Sequence, residues 1–202
     1  MRNERFGKLE VICGSMFSGK SEELLFRLRR AEYAKKKVLT IKHAIDNRTS
    51  FTCVGSHNGE KREAHPIRGC QDSLQTLIQL ADDSVEVVGI DEIQFFPEET
   101  VGVIQHLVDL GKRIIVAGLD LDFRRIPFGI VPQLMAHADE VTKLRAICVQ
   151  CGNESNYSQR LIDGEPAPFD DALIKVGGEE CYEPRCRRCF VVYEHLALQT
   201  TN

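Results

Sequence analysis

Residues 8–30 read KLEVICGSMFSGKSEELLFRLRR. The apolar run KLEVIC (8–13) suits a short buried strand, while Leu24, Leu25, Leu28 and Ala31 recur at helical spacing. Between them Gly14, Ser15, Met16, Phe17, Ser18, Gly19, Lys20 and Ser21 satisfy G-x-x-x-x-G-K-[ST], in the strand–loop–helix setting that this phosphate-binding motif requires. The glycines let successive backbone N–H groups face a phosphate and the helix N-terminus adds positive potential. Lys20 can reach the β and γ phosphates, and Ser21 can ligate Mg²⁺. A turn that merely connects two elements is the plain alternative, and the flanking pattern argues against it. VLTIKH (38–43) then completes a βαβ unit, expected to be parallel and right-handed.

The remaining chain repeats this alternation. Residues 44–59 are polar and aperiodic and read mostly as loop, and SLQTLIQLA (73–81) reads as a helix. Strands are expected at 85–90 and 113–120, with a helix from near Pro97 to Leu110 between them, and a last core strand at 140–149. The fold class is therefore α/β, a P-loop NTPase-like, doubly wound, mostly parallel sheet. From about residue 148 the pattern turns to cysteines and short segments, which divides the chain into a nucleotide-binding unit (1–147) and a small C-terminal unit (148–202).

The strand VEVVGI (85–90) ends in two adjacent acids, Asp91 and Glu92, followed by Ile93, Gln94, Phe95 and Phe96. At ~5 Å and an effective dielectric near 20 the two carboxylates would repel by roughly 3 kcal/mol, so something must compensate. A magnesium ion at the P-loop would do so for Asp91, which occupies the Walker B position. Side chains alternate along a strand, leaving Glu92 free to face an acceptor hydroxyl as general base; activating water, as in an ATPase, fits the local motif equally. The phenylalanines suit stacking on a planar base or simple core packing. GLDLDFRRIPFG (118–129) again sets Phe123 and Phe128 among charges, with Arg124 and Arg125 either near phosphates or on a solvated face.

Of eight cysteines, four form two C-x-x-C pairs, Cys148/Cys151 and Cys186/Cys189. This is the ligand pattern of a tetrahedral structural Zn²⁺, with redox or incidental cysteines as the alternative. The segment between the pairs is long for a simple knuckle and should loop out while the metal holds both ends, giving a preorganised substrate lid. Four protein ligands leave no open coordination position, so the zinc is not expected to be catalytic.

A formal charge of −4 and a pI near 5.9 give no electrostatic case for a nucleic-acid binder. No stretch is long and apolar enough to span a bilayer and the first residues carry no apolar leader, so a cytoplasmic protein without membrane partners is expected.

Taken in order, GSMFSGKS, DEIQFF, LDLDFRRIPFG, CVQC and GGEECYEPRCRRC resemble the type II thymidine kinases over nearly the whole chain. The resemblance implies transfer of the γ-phosphate of ATP to the 5′-hydroxyl of thymidine, with Glu92 as proton acceptor and Asp91 in the magnesium site. The ATP set is then Gly14–Ser21 together with Asp91, Glu92, Ile93 and Gln94. It also implies a zinc-tethered lasso that contacts thymine through backbone groups of Leu173, Ile174, Lys175, Val176 and Gly177. Tyr182 would lie beside the nucleoside, Phe123 against the base, and Met16, Phe95, Leu119 and Phe128 around the pocket. Arg48 would stand near the transferred phosphate. Inhibition by dTTP and a homotetramer belong to the same resemblance. Two positions depart from the family pattern: Ile93 replaces a smaller residue, and Cys181 is an extra thiol near the zinc ligands.

Two other functional classes fit parts of the chain. A zinc-ribbon P-loop NTPase acting on nucleic acid would show a basic ribbon face and polynucleotide-stimulated hydrolysis, whereas a non-hydrolysing nucleotide sensor would leave Glu92 without a chemical task. The net charge opposes the first of these and the acid pair the second.

Overall fold

The computed structural model describes residues 6–46, 52–55, 61–68, 71–174, 177–178 and 180–191, with nothing stated for the side chains of residues 71–73. The main sheet has six strands in the order β5-β2-β6-β7-β1-β8. These are β1 (Lys8–Gly14), β2 (Val38–His43), β5 (His65–Ile67), β6 (Val87–Asp91), β7 (Arg113–Gly118) and β8 (Glu140–Leu144). Every pairing between them is parallel.

Helices cover both faces, and the period-2 alternation of the strands shows how. Val11, Cys13, Val88, Ile90, Ile114 and Val116 pack in one cluster, with Leu77 of α2 (Gln71–Leu80), Ile104 and Leu107 of α3 (Thr100–Asp109), and Val131 and Leu134 of α4 (Val131–His137). Their neighbours Ile12, Val87, Ile115 and Ala117 point to the other face and meet Leu24, Leu28 and Ala31 of α1 (Lys20–Tyr33). From β1 the chain crosses leftward through α1 to β2 and on to the edge strand β5, and from β5 it returns rightward through β6 and β7 to β8. That reversal puts the C-terminal ends of β1, β7 and β6 at a topological switch point, where ligands bind in open α/β sheets.

Several elements go beyond or stop short of the sequence expectations. Within the stretch 44–59, expected to be mostly loop, β3 (Cys53–Gly55) pairs antiparallel with β4 (Lys61–Glu63). Those strands are too short for a periodic signal, and Val54 gains its burial from Leu25 of α1. The seven-residue α4, like β5, was not anticipated. β7 stops at Gly118 rather than residue 120 because the Leu119 N–H leaves the sheet to meet Gln94 Oε1 at 3.1 Å. The expected strand 140–149 breaks after Leu144, whose partner is Gly14, the last residue of β1; beyond it the phosphate loop offers no strand to pair with. The chain continues as β9 (Ala146–Ile147), antiparallel to β10 (Glu154–Ser155).

The C-terminal unit adds a three-stranded antiparallel sheet in which β11 (Tyr157–Ile162) lies between β12 (Glu165–Pro166) and β13 (Tyr182–Arg185). Much of the segment between the two cysteine pairs is therefore sheet, and the excursion from it runs from β12 to β13. No helix among the described residues is long and apolar enough to cross a membrane.

A buried carboxylate fastens α1 to the sheet. Glu10 on β1 is 2% exposed and accepts from Arg27 Nη1 at 2.8 Å and from Arg113 Nε and Nη2 at 2.7 and 3.0 Å. Arg27 also donates to Glu23 and to Thr142 of β8, each at 2.8 Å. Burial alone would raise the Glu10 pKa, but the hydrogen bonds and charge of Arg113, with Arg27 and Lys8, win and hold it at about 2. A carboxylate depressed on folding contributes stability above its unfolded pKa, near 4.5, and loses it as pH falls toward the folded value. Glu10→Gln is therefore expected to cost up to about 3 kcal/mol at neutral pH. In urea melts the gap to the parent protein should shrink as pH drops from about 4.5 toward 2; a pH-independent gap would contradict the ion-pair account.

Candidate functional site

The phosphate loop is compact. Gly19, at φ 84°, caps α1 in the left-handed region that a side chain disfavours, and the first-turn N–H groups of α1 open toward the loop. Ser18 Oγ donates to the Ser15 carbonyl at 2.8 Å, and Lys20 Nζ donates to the same oxygen at 2.6 Å. Ser15 is 2% exposed, and its Oγ has no hydrogen-bond partner among the described residues. A buried hydroxyl left in this way is costly unless a ligand completes it. The Met16 N–H donates to Ser158 Oγ of β11 at 2.9 Å, so the C-terminal unit buttresses the loop directly.

Asp91 ends β6, and Ser21 Oγ donates to its Oδ2 at 2.9 Å. The hydroxyl and carboxylate that a magnesium ion would use thus already touch, and this oxygen donor set fits such a hard cation. Glu92 leaves the strand. Its φ is 56°, its N–H returns to Asp91 Oδ1 at 3.0 Å, and it opens the 3₁₀ turn Ile93–Phe95. The two acids are parted by this left-handed residue rather than by strand alternation alone. The Gln94 amide donates to Glu92 Oε2 while its Oε1 accepts the Leu119 N–H. Gly118 makes room for that bridge, since a Cβ there would lie 2.7 Å from both Gln94 Oε1 and Ile93 Cγ2.

Ile93 is fully buried in the main core, and Phe96 packs in the same core. Phe95 instead meets Phe128 edge-on at 5.7 Å. His43, at the end of β2, sits 5.0 Å from Phe96 and 5.7 Å from Phe95. Its Nδ1 accepts the Ile45 N–H at 3.2 Å, which puts the ring proton on Nε2. Burial holds the imidazole below its usual range, against the opposing pull of Glu92 and Asp46. Sequence reasoning passed over this histidine because nothing in VLTIKH distinguishes it from a strand end.

Met16, Phe123 and Tyr182 form a second buried cluster with Ala167, joined by Leu119, Phe17 and Cys181. Four nucleoside-pocket positions named from the sequence, Met16, Leu119, Phe123 and Tyr182, are thus in one place, and the Gln94 bridge ties Leu119 to Glu92. Leu173 and Ile174 are 40% and 46% exposed, and Gly177 lies close to the Cys181 thiol. Arg48, Lys175 and Val176 lie outside the described residues. Two residues not anticipated from sequence, Ser158 and Arg160, complete this wall; they sit two apart on β11, which is buried at each of residues 157–160 and so offers no inside–outside alternation to read.

The Sγ atoms of Cys148, Cys151, Cys186 and Cys189 all lie within 4.8 Å of one another. Tetrahedral zinc with Zn–S near 2.3 Å needs sulfurs about 3.8 Å apart, so the donor set and spacing fit. The first pair sits in the turn between β9 and β10, where the Cys148 N–H donates to the Asn153 carbonyl at 2.8 Å; the second sits in the turn after β13. Burial pushes the Cys148 thiol up, but backbone N–H groups of Cys186, Gln150 and Cys151 outweigh it and bring it to about 6, while hydrogen bonding to Cys151 and Cys186 drives Cys189 to about 12. A cation bound among them would let all four stand as thiolates. Cys181 packs with the aromatic cluster rather than with these ligands.

A glycine-rich loop at the end of a central parallel strand, with a carboxylate hydrogen-bonded to its serine from a strand one removed, defines a P-loop phosphate-binding protein. The sequence pattern of the thymidine kinase family matches residues 7–190, and the chain belongs to that family. Among solved structures it is similar to a DNA replication initiation factor, with 16% identity and a TM-score of 0.40 over 68% of this chain and 40% of that one. Domain III of the Thermotoga maritima replication initiation protein DnaA gives 14% and 0.40, over 67% and 54% respectively. Replication initiator DnaA bound to AMPPCP and single-stranded DNA gives 15% and 0.40, over 68% and 40%. The chain spans between 40% and 54% of the length of these proteins.

Metal analysis of the purified protein is expected to find one zinc per chain, lost in Cys151→Ala. Chelation should speed proteolysis between β12 and β13 by roughly tenfold while the main sheet keeps its cooperative melt, as a local opening would. Full zinc retention by the variant would refute the ligand assignment.

Proposed function

We propose that this protein is an ATP-dependent thymidine kinase, which transfers the γ-phosphoryl group of ATP to the 5′-hydroxyl of thymidine and yields dTMP and ADP for DNA precursor synthesis by salvage. The observation that carries this reading is the Gln94 bridge, which links Glu92, beside the phosphate loop, to Leu119 in the aromatic cluster. An acid in that position stands between a triphosphate site and a compartment suited to a planar base.

In this reading the loop residues Gly14–Ser21 hold the triphosphate, and Ser15 Oγ gains the partner it lacks. Ser21 and Asp91 would hold magnesium, which supplies charge neutralisation on the phosphates when bound. Glu92 accepts the proton of the 5′-hydroxyl as the γ-phosphoryl group is transferred. Gln94 fixes the orientation of that carboxylate. Met16, Leu119, Phe123 and Tyr182 enclose the base, with Phe95 and Phe128 at the flank, and the backbone of 173–177 reads its edge. Residues 1–147 serve as the phosphate-binding unit and 148–202 as the zinc unit that carries the enclosing segment. The sequence resemblance adds further parts to the proposal, namely Arg48 near the transferred phosphate, inhibition by dTTP and a homotetramer, and the sequence pattern adds a cytoplasmic setting.

The direct test is ADP formation from Mg-ATP with each nucleoside supplied separately, alongside a no-nucleoside control and single-stranded DNA. Thymidine-dependent turnover with dTMP as product is expected, and stimulation by the polynucleotide alone would overturn the reading. Glu92→Gln should retain ATP binding and lose about 10²- to 10⁴-fold in turnover, the range of general-base assistance; near-normal turnover would remove Glu92 from the proton transfer.

A further inference from the structure

Arg160 on β11 is 2% exposed, yet it carries a guanidinium with five N–H donors that stays charged in proteins. Every donor finds an acceptor. Nε and Nη2 donate to the Tyr182 hydroxyl at 3.0 and 2.5 Å, and Nη2 also donates to the Leu173 carbonyl at 2.8 Å. Nη1 donates to Asp171 Oδ2 at 3.2 Å and to the Ala172 carbonyl. The Cζ atom lies 4.0 Å from the centroid of the Phe123 ring and 5.2 Å from that of Tyr182.

A buried guanidinium is tolerated when its donors are satisfied and its charge is met. Here three acceptors, Asp171, Ala172 and Leu173, belong to the excursion between β12 and β13, whereas Phe123 and Tyr182 belong to the aromatic cluster. Lifting that excursion away would leave a charge against Phe123 with only the Tyr182 hydroxyl. Wall and cover are thereby joined through one side chain.

We propose that Arg160 is the positioning residue that closes residues 171–173 over the nucleoside compartment and backs the Phe123 ring against which the base lies. The proposal rests on the thymidine kinase reading. The ring face covered by the guanidinium is closed to a base, so stacking is directed to the other face, and the cation–π contact fixes the ring there. Lysine cannot substitute, because it offers a point charge without the planar fork that reaches backbone carbonyls and a hydroxyl together. The cover is then held by the chain itself before any nucleoside arrives.

Arg160→Lys, Tyr182→Phe and Asp171→Asn test this in the full-length zinc-loaded protein, with thymidine and ATP varied separately and with proteolysis in the absence of any ligand. Arg160→Lys is expected to raise the thymidine KM by about tenfold or more and the ATP KM by less than about twofold, because a lysine loses the fork but not the charge. Cutting between residues 167 and 178 should quicken in the ligand-free variant, with zinc content and Tm retained. Tyr182→Phe and Asp171→Asn should move the same two readouts in the same direction by less, and they decide the matter if Arg160→Lys does not fold. An unchanged thymidine KM, an unchanged cutting rate, or an equal rise in both KM values with a lowered Tm would overturn the proposal. Absence of thymidine-dependent turnover in the parent protein would instead strike the functional reading, while ligand-free cutting would still decide whether Arg160 holds the segment.

Discussion

Two carboxylates placed side by side at the end of a buried strand cannot share one environment, and the separation of Asp91 from Glu92 organises the centre of this protein. Asp91 completes β6 and takes the Ser21 hydroxyl. Glu92 turns out of the strand at φ 56°, a conformation that costs an ordinary residue about 1–2 kcal/mol. The strain is held by a bridge, since Gln94 donates to Glu92 and accepts from Leu119. The bridge depends in turn on Gly118, because any side chain there would occupy the space of Gln94 and Ile93. A strained residue persists only where its surroundings over-determine it, and here three consecutive parallel strands, β6, β7 and β1, supply that determination.

The C-terminal unit forms the other half of the site rather than an appendage. Ser158 supports the backbone of Met16 inside the phosphate loop, and Tyr182 of β13 packs with Met16 and Phe123. The four-cysteine cluster ties the turn after β9 to the turn after β13, while β11 carries Ser158 and Arg160 between them. The cysteine cluster, the short sheet and the aromatic cluster are therefore joined in one path to the loop, by which a metal held at those cysteines would influence a compartment that it does not line.

Local signals carried a large part of this architecture. The phosphate loop, the acid pair and the cysteine pairs are legible because each draws its chemistry from residues a few positions apart, and backbone geometry fixes what such spacings can do. The alternation of strands and helices is legible for the same reason. What escaped were elements stabilised from a distance. β3 depends on Leu25 to bury Val54, α4 on the core that receives Val131 and Leu134, and the break after Leu144 on the absence of a neighbouring strand beyond Gly14. Ile93, read as a departure from the family pattern, packs entirely in the core.

The sequence by itself determined a P-loop α/β protein with an acid pair at a strand end and two cysteine pairs of metal-ligand spacing, because those features are encoded in contiguous runs. Tertiary structure decided which of its many polar residues became part of the compartment. Arg160 stands in a strand that reads as ordinary surface, and His43 at a strand end with no motif around it. Arg160 meets its partners only when Phe123, residues 171–173 and Tyr182 converge on it, and His43 only when the turn carrying Phe95 and Phe96 packs against β2; no local pattern records either.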